Sequence, residues 1–376
     1  MRNLSKLILP GQTIGIIGGG QLGRMMAFSA KEMGFFVGIL DPTPDCPAAQ
    51  VADWHIIADY NDELSLLNMS KRCDVITYEF ENVDVDGIKY IEKMTHIPQG
   101  TIGLSVTQDR LSERSFLESN NINIAPYETV VVVSDIRDSV SSIGFPCVVK
   151  TTRGGYDGKG QVVLYSEEDI DKSVPLIQHG PCILEAFIPF VKELSVMIAA
   201  NQNGDYTIFP IVENIHKNSI LQKTIAPVAL SQDIVDQIHL TAKIIASGLQ
   251  LSGVMGIEMF LTEEGTIYVN ELAPRPHNSA HYSIEACNFS QFDAHIRGIC
   301  NWPLPEITLL SPAVMLNILG EQVVDVFAQI PEKKNWHFHL YGKKELKEGR
   351  KVGHVTILTE NLEETLQEIA ETNIWD

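Results

Sequence analysis

A predicted β-hairpin between residues 254 and 271 constrains this chain more than any other part of its sequence. Two apolar segments flank Glu264-Gly265, a dipeptide typical of a tight turn between antiparallel strands. If the turn is a two-residue loop, Glu258 lies directly opposite Glu271, at a separation where two carboxylates repel each other. Burying both charges unpaired would cost on the order of several kcal/mol.

A bound divalent cation would remove this cost. Oxygen ligands suit Mg²⁺, with Mn²⁺ as a substitute. The alternative is a surface hairpin whose two glutamates are solvated. Apolar residues surround both glutamates and argue against that alternative: Val254, Met255, Ile257, Met259, Ile267, Tyr268 and Val269. We therefore predict a metal site at Glu258 and Glu271.

Composition limits the class of function. The 376 residues are 44% hydrophobic and 20% charged, which is enough for two or three domains with apolar cores. A net charge of −20 disfavours binding to a nucleic-acid backbone, so we expect small-molecule ligands and no nucleic acid.

The cysteines and the N-terminus indicate the compartment. The six cysteines have no C-x-x-C spacing, so buried reduced thiols are the simplest interpretation. The first ten residues are too short for a signal peptide, and no apolar run reaches membrane-spanning length. We expect a soluble, cytoplasmic protein that does not contact a membrane.

The order of predicted elements divides the chain into three domains. Strands and helices alternate through the first hundred residues, which indicates a parallel sheet, so residues 1–105 are predicted to form a Rossmann-like α/β domain. Consecutive strands with short links follow, including a single strand predicted over 206–215, and this is typical of antiparallel α+β structure. We expect a two-lobed α+β domain over 106–302, with a flexible glycine-rich lobe at roughly 125–190. A small C-terminal α+β domain is expected over 303–376.

The first glycine-rich loop, at residues 18–23, fits G-x-G-x-x-G between a strand and a helix, and Asp41 ends the next strand. This is the dinucleotide-binding fingerprint. The amides of such a loop can bind any phosphate, however, and no nicotinamide-side catalytic motif follows. We therefore favour a monophosphate site. A dinucleotide site and a tight turn without a ligand are the alternatives.

The second loop is Arg-Gly-Gly-Tyr-Asp-Gly-Lys-Gly at residues 153–160, between two predicted strands. It is therefore neither a Walker A loop nor a Rossmann turn. Its glycines predict a mobile flap whose amides close over phosphates, with Lys159 adding positive charge. Lys150 ends the preceding strand. Beside such a flap it is predicted to meet a nucleotide phosphate, although a lone lysine at a strand end is usually just solvated.

In this order, the motifs resemble the ATP-grasp superfamily, whose members hold ATP between two α+β lobes. The resemblance implies that Glu185-Ala-Phe-Ile188 binds adenine, that Glu193 binds the ribose, and that Glu258, Glu271 and Asn270 hold the metal. The implied ATP-binding residues are Arg110, Lys150, Gly154, Gly155, Tyr156, Asp157, Gly158, Lys159, Gly160, Glu185, Ala186, Phe187, Ile188, Glu193, His216, Asn270 and Glu271. The N-terminal domain would be the pre-ATP-grasp domain of this superfamily.

Within the superfamily, the sequence is most similar to the N5-carboxyaminoimidazole ribonucleotide synthases of purine biosynthesis. The matching motifs are Gly18-Gly-Gly-Gln-Leu-Gly-Arg-Met25, Tyr78-Glu-Phe-Glu-Asn82, Gly154-Gly-Tyr-Asp-Gly-Lys-Gly-Gln161, Asn270-Glu-Leu-Ala-Pro-Arg-Pro-His-Asn-Ser279, Ser290-Gln-Phe292 and Gly349-Arg-Lys-Val-Gly-His354. They cover essentially the whole chain. Two departures are Ala280, where glycine is common, and Lys347, where arginine is common.

The resemblance implies an ATP-dependent ligase that joins bicarbonate to 5-aminoimidazole ribonucleotide through carboxyphosphate, with the substrate amine attacking carboxyphosphate or CO₂ released from it. The implied catalytic residues are Arg275, His277 and Asn278, and His277 could either move protons or only position bicarbonate. The residues predicted to bind the aminoimidazole substrate are Gly20, Gln21, Leu22, Glu79, Tyr156, Asp157, Lys343, Arg350 and Lys351. A homodimer is typical of this family.

Three alternatives stay open at this stage. Another ATP-grasp ligase, such as a formate-dependent transformylase or a glycinamide ribonucleotide synthetase, would activate a different carboxylate. A nicotinamide-dependent dehydrogenase would rest on the first glycine loop alone. A regulatory nucleotide-binding module without turnover is disfavoured by the complete set of cation ligands.

Overall fold

The N-terminal region is built on a four-stranded parallel sheet, as predicted. The computed structural model describes residues 6–155 and 158–375. The N-terminal elements are β1 Thr13–Ile17, α1 Gln21–Glu32, β2 Phe36–Leu40, β3 Trp54–Ile56, α2 Glu63–Arg72, β4 Val75–Tyr78, α3 Val85–Ile91 and α4 Ile102–Thr107. The strands lie in the order β3-β2-β1-β4. The loops after β1 and β4 therefore meet at the carboxyl edge of the sheet, where α/β proteins bind ligands.

A four-stranded antiparallel sheet forms the glycine-rich lobe. The elements of this region are α5 Arg110–Ser119, β5 Tyr127–Val130, α6 Val133–Ile143, β6 Cys147–Thr151, β7 Gln161–Leu164, α7 Val174–Ile177 and β8 Cys182–Ala186. The strand order is β5-β8-β6-β7. Lys150 pairs with Gln161, so the loop over 153–160 joins two antiparallel strands, as predicted. Gly154 and Gly158 both have φ of +77°, a conformation that favours glycine.

A nine-stranded antiparallel sheet forms the rest of the molecule. Its strands and the helices between them are β9 Phe190–Ala200, β10 Tyr206–Ile208, β11 Val212–Lys217, β12 Ile220–Ala226, α8 Gln232–Gly248, β13 Gly253–Thr262, β14 Ile267–Ala273, α9 Ser283–Ala286, α10 Gln291–Ile299, β15 Ala313–Leu319, α11 Val323–Gln329, β16 Trp336–Leu340, β17 Lys351–Leu358 and α12 Leu362–Glu371. The order is β14-β13-β9-β11-β12-β15-β17-β16, and β10 also pairs with β9. Side chains of α5 and α8 pack against β9 and β13 in a large apolar core.

The single strand predicted over 206–215 is wrong. Strands β10 and β11 run separately along β9 and are interrupted between residues 209 and 211. Pro210 lies in this interruption. Proline has no N–H to donate to a sheet ladder, so it breaks the pairing at this point.

The C-terminal strands extend the nine-stranded sheet. Strand β12 pairs with β15 from Lys223–Leu316 to Ala226–Ala313, and β15 pairs in turn with β17. An apolar cluster beneath β15 and β17 joins them to α11 and α12. The hydrogen-bonded sheet therefore crosses residue 302, and the domain boundaries near 105 and 302 remain predictions.

The cysteines lie inside the fold. All six are buried free thiols, as expected from their apolar surroundings. Within the described residues, no helix combines the length and the apolar character that crossing a lipid bilayer requires.

Candidate active site

A cleft of about 1230 Å³ lies where the three sheets meet, and most of the predicted site residues line it. The predicted residues on its walls are Gln21, Leu22, Glu79, Arg110, Lys150, Gly158, Lys159, Glu185, Ala186, Phe187, Ile188, Glu193, His216, Glu258, Asn270, Glu271, Arg275, His277, Asn278, Lys343, Arg350 and Lys351. Among the described residues predicted for the site, Gly20, Gly154, Gly155 and Gly160 do not line the cleft. Tyr156 and Asp157 lie outside the described residues.

The β13–β14 hairpin contributes the acidic part of the cleft. Glu258 pairs with Glu271, as predicted, but the assumption of a two-residue loop is wrong. The connection is the three-residue loop 263–265, whose last residue is a glycine with φ of +82°. A β-bulge at Asn270 then shifts the register by one residue. Because a bulge places an extra residue in one strand, Asn270 and Glu271 both face the cleft together with Glu258.

The two facing carboxylates lack close positive partners within the described structure. Burial and, next, the charge of Glu271 raise the pKa of Glu258 to about 7. Arg110 Nη1 lies 3.8 Å from Glu271 Oε2, and the ring of His277, whose pKa is held well below its ordinary range, lies with Nε2 3.4 Å from Glu258 Oε1. This facing pair of oxygen ligands suits a divalent cation.

Glu185 binds two cationic side chains at one end of the cleft. Lys150 Nζ lies 2.5 Å from Glu185 Oε2, and Arg114 Nη2 lies 2.7 Å from Oε1. Burial alone would raise the pKa of Glu185, but these two cations lower it to about 2. The carboxylate that was expected to contact adenine is thus engaged in holding Lys150, while residues 186–188 line the adjoining wall.

Glu193 and His216 face each other on neighbouring strands. His216 Nδ1 contacts the Glu193 carboxylate. Burial would lower the pKa of His216, but the contact with Glu193 and the negative charges of Glu193 and Glu258 together raise it above its ordinary value. Beside them, the rings of Phe190 and Phe260 stack with centroids 4.7 Å apart. This part of the cleft therefore combines a polar pair with a flat apolar surface.

Arg275 is held by a two-point ion pair. Its Nε lies 2.5 Å from Glu81 Oε2, and its Nη2 lies 3.3 Å from Glu81 Oε1. Glu81 follows β4 in the N-terminal region, whereas Arg275 follows β14. The preceding carbonyl, of Pro274, accepts a hydrogen bond of 3.2 Å from Gln99 Nε2. Arg275 is therefore oriented from a different region of the chain, with the geometry that suits a guanidinium.

His277 and Asn278 follow Arg275 along the same wall. Burial, with Arg275 and Lys351 nearby, holds the pKa of His277 well below its ordinary range. The amide of Asn278 exchanges two hydrogen bonds with the amide of Asn317, at 2.9 and 2.7 Å. Asn278 keeps one N–H and one lone pair for another partner.

The first glycine loop binds the protein's own carboxylates. Gly20 N and Gly23 N donate to the two Glu79 oxygens, each at 2.6 Å, and Gly19 N donates to Asp41 Oδ2 at 2.8 Å. A Cβ atom on Gly18 would lie 2.2 Å from Glu79 Cγ. The glycines thus admit an internal carboxylate where a dinucleotide fold admits pyrophosphate, which argues against the dinucleotide interpretation. The amide of Gly20, predicted to bind substrate phosphate, is already used.

Three predicted basic residues converge on the cleft from the C-terminal region. Lys343, Arg350 and Lys351 line the same cleft as Gln21 and Leu22. Lys343 Nζ donates to Lys351 O at 2.7 Å, and Arg350 Nη1 donates to the carbonyl of residue 345 at 3.4 Å. This positive cluster therefore lies at the end of the cleft beside the first glycine loop.

Three family models match successive parts of the chain. They are the ribonucleotide synthetase pre-ATP-grasp domain at residues 11–108, the ATP-grasp domain at 115–292 and the phosphoribosylaminoimidazole carboxylase C-terminal domain at 313–368. The first model covers the N-terminal parallel sheet, the second covers the glycine-rich lobe together with β9–β14, and the third covers β15–β17 of the nine-stranded sheet.

Full-length relatives identify the family. N5-carboxyaminoimidazole ribonucleotide synthase of Bacillus subtilis (strain 168) is 44% identical over 98% of this chain and 97% of its own length. The chain belongs to the N5-carboxyaminoimidazole ribonucleotide synthase family. A crystal structure of a family enzyme with ADP has a TM-score of 0.97 and 47% identity, covering 99% of each chain. An Aspergillus clavatus enzyme bound to ADP and 5-aminoimidazole ribonucleotide has a TM-score of 0.91 and 28% identity, covering 97% of this chain and 98% of its own.

Two residues of the cleft in this member of the synthase family were missed from the sequence. Glu81 lies within the motif at 78–82 but had no assigned role. Arg114 is almost fully buried, binds Glu185 and donates through Nη2 to Asn270 O at 2.9 Å. Through Glu185, Arg114 therefore connects Lys150 of the glycine-rich lobe to the β13–β14 hairpin of the nine-stranded sheet. The run of charges at the start of α5 was the available signal.

Glu79 should make the free energy of unfolding depend on pH. Burial raises its folded pKa from 4.5 to about 7, so the folded state binds more protons in this window. The contribution of Glu79 to stability should therefore fall as pH rises from 4.5 to 7, by up to about 3 kcal/mol. The free energy of unfolding, measured with urea, should differ less between pH 5 and pH 7.5 for Glu79→Gln than for the wild type. Exposed Glu63→Gln is the control, and equal differences in all three proteins would contradict the assignment.

Proposed function

We propose that this chain uses ATP to join bicarbonate to 5-aminoimidazole ribonucleotide, giving N5-carboxyaminoimidazole ribonucleotide, ADP and phosphate. The observation that carries the proposal is a single cleft that places the facing pair Glu258 and Glu271 beside Arg275. Lys150 stands at one end of this cleft, and the basic cluster of the C-terminal region stands at the other. Such a cleft has room for a nucleotide, a small acid and a phosphorylated amine.

The nucleotide would occupy the end of the cleft between the glycine-rich lobe and the nine-stranded sheet. Lys150, held by Glu185, supplies positive charge for the phosphates, with Lys159 on the flap above and Arg110 beside Glu271. Residues 186–188 would contact the adenine. The ribose would lie near Glu193 and His216.

Glu258, Glu271 and Asn270 would hold Mg²⁺ or Mn²⁺. The bulge places their oxygens on one side of the hairpin, and the raised pKa of Glu258 reflects its burial and its repulsion by Glu271, both of which a cation would offset. In residues 6–155 and 158–375, no three His, Cys, Asp or Glu side chains are arranged to hold a metal by themselves. Nucleotide phosphates would complete the coordination, and the bound ion would neutralise phosphate charge.

Arg275, His277 and Asn278 would bind bicarbonate next to the γ-phosphate. A bicarbonate oxygen attacks the γ-phosphorus, the bond to the β,γ-bridging oxygen breaks, and ADP leaves. The substrate amine then forms a bond to the carboxyl carbon of carboxyphosphate, phosphate leaves with the C–O electrons, and the amine loses a proton. Such a transfer depends on positioning and charge neutralisation, which the oriented guanidinium of Arg275 supplies.

The aminoimidazole ribonucleotide would bind at the N-terminal end of the cleft. Lys343, Arg350 and Lys351 would neutralise its phosphate, and the exposed parts of Gln21 and Leu22 would contact it. Glu79 would support this site by fixing the loop, because its oxygens accept from Gly20 and Gly23. Tyr156 and Asp157 are proposed to contact the same substrate from the flap.

The proposal extends to assembly and location. We propose a homodimer, with domains over residues 1–105, 106–302 and 303–376, acting in the cytoplasm. Buried free thiols agree with a reducing compartment. Mass photometry of the purified chain tests the dimer.

One assay tests the proposed reaction. ADP release should require bicarbonate, and addition of 5-aminoimidazole ribonucleotide should yield one carboxylated product for each ADP formed. The assay is repeated with formate and with glycine in place of bicarbonate. Carboxylation that proceeds without ATP, or ADP release that depends on formate or glycine, would overturn the proposal.

A further inference from the structure

A buried chain of hydrogen bonds runs from His277 away from the cleft. His277 Nδ1 lies 2.8 Å from Ser279 Oγ, which lies 2.7 Å from Ser195 Oγ. Asn214 Nδ2 lies 3.0 Å from Ser195 Oγ, and Thr224 Oγ1 lies 3.0 Å from Asn214 Oδ1. These four partners are all buried, and none of them lines the cleft. Of the residues in this chain of hydrogen bonds, only His277 reaches the cleft.

The backbone of Ser279 indicates which ring nitrogen carries the proton. Its N–H, which can only donate, lies 3.4 Å from His277 Nδ1, so Nδ1 is the accepting nitrogen. A neutral ring then carries its proton on Nε2, the nitrogen that faces Glu258 at 3.4 Å.

The hydroxyl groups agree with this assignment. The Asn214 amide donates to Ser195, the Ser195 hydroxyl donates to Ser279, and the Ser279 hydroxyl then donates to His277 Nδ1. Every link has one donor and one acceptor. Because the groups are buried, reversing one link would require reversing all of them.

We propose that Ser279, Ser195 and Asn214 are positioning residues that hold His277 as the tautomer with its proton on Nε2. In this tautomer the ring presents an N–H to the cleft. It donates a hydrogen bond to an anionic oxygen of the bound acid, and it has no lone pair there to accept the amine proton. The catalytic part of this inference rests on the proposed function, whereas the tautomer itself does not.

The tautomer can be measured on the full chain without ligands. Nitrogen NMR of protein labelled with ¹⁵N-histidine separates protonated from unprotonated ring nitrogens, and the His277 signals are those lost in His277→Gln. We expect a protonated Nε2 and an unprotonated Nδ1. A proton on Nδ1, or on both nitrogens, overturns the proposal. This readout is independent of turnover, so it stands apart from any failure of the proposed reaction.

Asn214→Asp reverses the direction of the chain at nearly constant shape. A carboxylate only accepts, so Ser195 must donate to residue 214, Ser279 must donate to Ser195, and His277 must donate from Nδ1. We expect the proton to move to Nδ1 in most molecules. If Nε2 stays protonated in the folded variant at a pH where the introduced carboxylate is ionised, the chain does not set the tautomer.

Ser279→Ala tests the catalytic consequence and serves if Asn214→Asp does not fold. We expect a mixture of His277 tautomers and a carboxylation kcat roughly 10- to 100-fold lower, the range for losing a group that orients a functional histidine, with the KM for ATP unchanged. The matched control is Ser70→Ala, a buried serine that bonds to Leu67 O within α2. It should keep wild-type turnover and the wild-type His277 spectrum. A Ser279→Ala enzyme with both properties unchanged would count against the proposal.

Discussion

Glu271→Gln is expected to lower the kcat for ATP-dependent carboxylation by about 10³-fold, as expected when a group that neutralises a transferring phosphoryl is lost. The amide keeps the shape of the side chain but removes the charge that faces Glu258. The same change removes a repulsion, because Glu271 helps to raise the pKa of Glu258 to about 7. Urea unfolding without ligands should therefore show no loss of stability.

Glu264→Gln is the matched control for this prediction. It removes a carboxylate from the turn of the same hairpin, outside the cleft. Turnover and stability should both remain at wild-type values. A wild-type kcat in Glu271→Gln would contradict the role of the acidic pair, and a large loss of stability would show that the effect is structural.

Arg275→Lys is expected to lower kcat by roughly 10²- to 10³-fold, the effect of losing one oriented donor to a developing charge. Lysine keeps the positive charge, but it lacks the planar fork that pairs with Glu81 at two points. The KM for ATP should change little, since Lys150 at the other end of the cleft is untouched. Steady-state kinetics with ATP and bicarbonate varied separately would distinguish these effects.

Glu81→Gln separates the aim of Arg275 from its charge. The guanidinium of Arg275 remains, but its ion pair with residue 81 becomes a weaker hydrogen bond, so we expect kcat to fall about tenfold. Exposed Arg137→Lys serves as the control and should behave as wild type. If Arg275→Lys turned over normally, neither residue would belong to the reacting centre.

Much of the fold could be predicted because its signals are local. Apolar alternation and turn residues predicted the parallel sheet and the antiparallel lobe. Strand β12 was missed because the preceding turn uses Asn218 and Ser219, with φ of +51° and +63°, rather than glycine. The strand order of the nine-stranded sheet depends on pairings such as Lys223 with Leu316, which no local pattern reveals.

In the site too, local features could be predicted and long-range contacts could not. Lys150, the glycine flap and the acidic hairpin could be predicted, because each residue type suits its chemistry. Their partners could not, since Glu81 is 194 positions from Arg275 and Arg114 is 156 positions from Asn270. The role of Glu79 as the acceptor for the first glycine loop could not be predicted either. The glycine motif indicates that an acceptor fits against the loop, but it does not show which residue provides it.

The pairing of β12 with β15 has a mechanical consequence. A continuous hydrogen-bonded ladder connects the acidic hairpin to the basic C-terminal cluster, so the fold fixes the distance between them. Strands β5–β8 of the glycine-rich lobe form a separate sheet that is not part of this ladder. Opening to admit substrates and excluding water would then fall to that lobe, while the spacing between the acidic hairpin and the basic C-terminal cluster stays constant through the cycle.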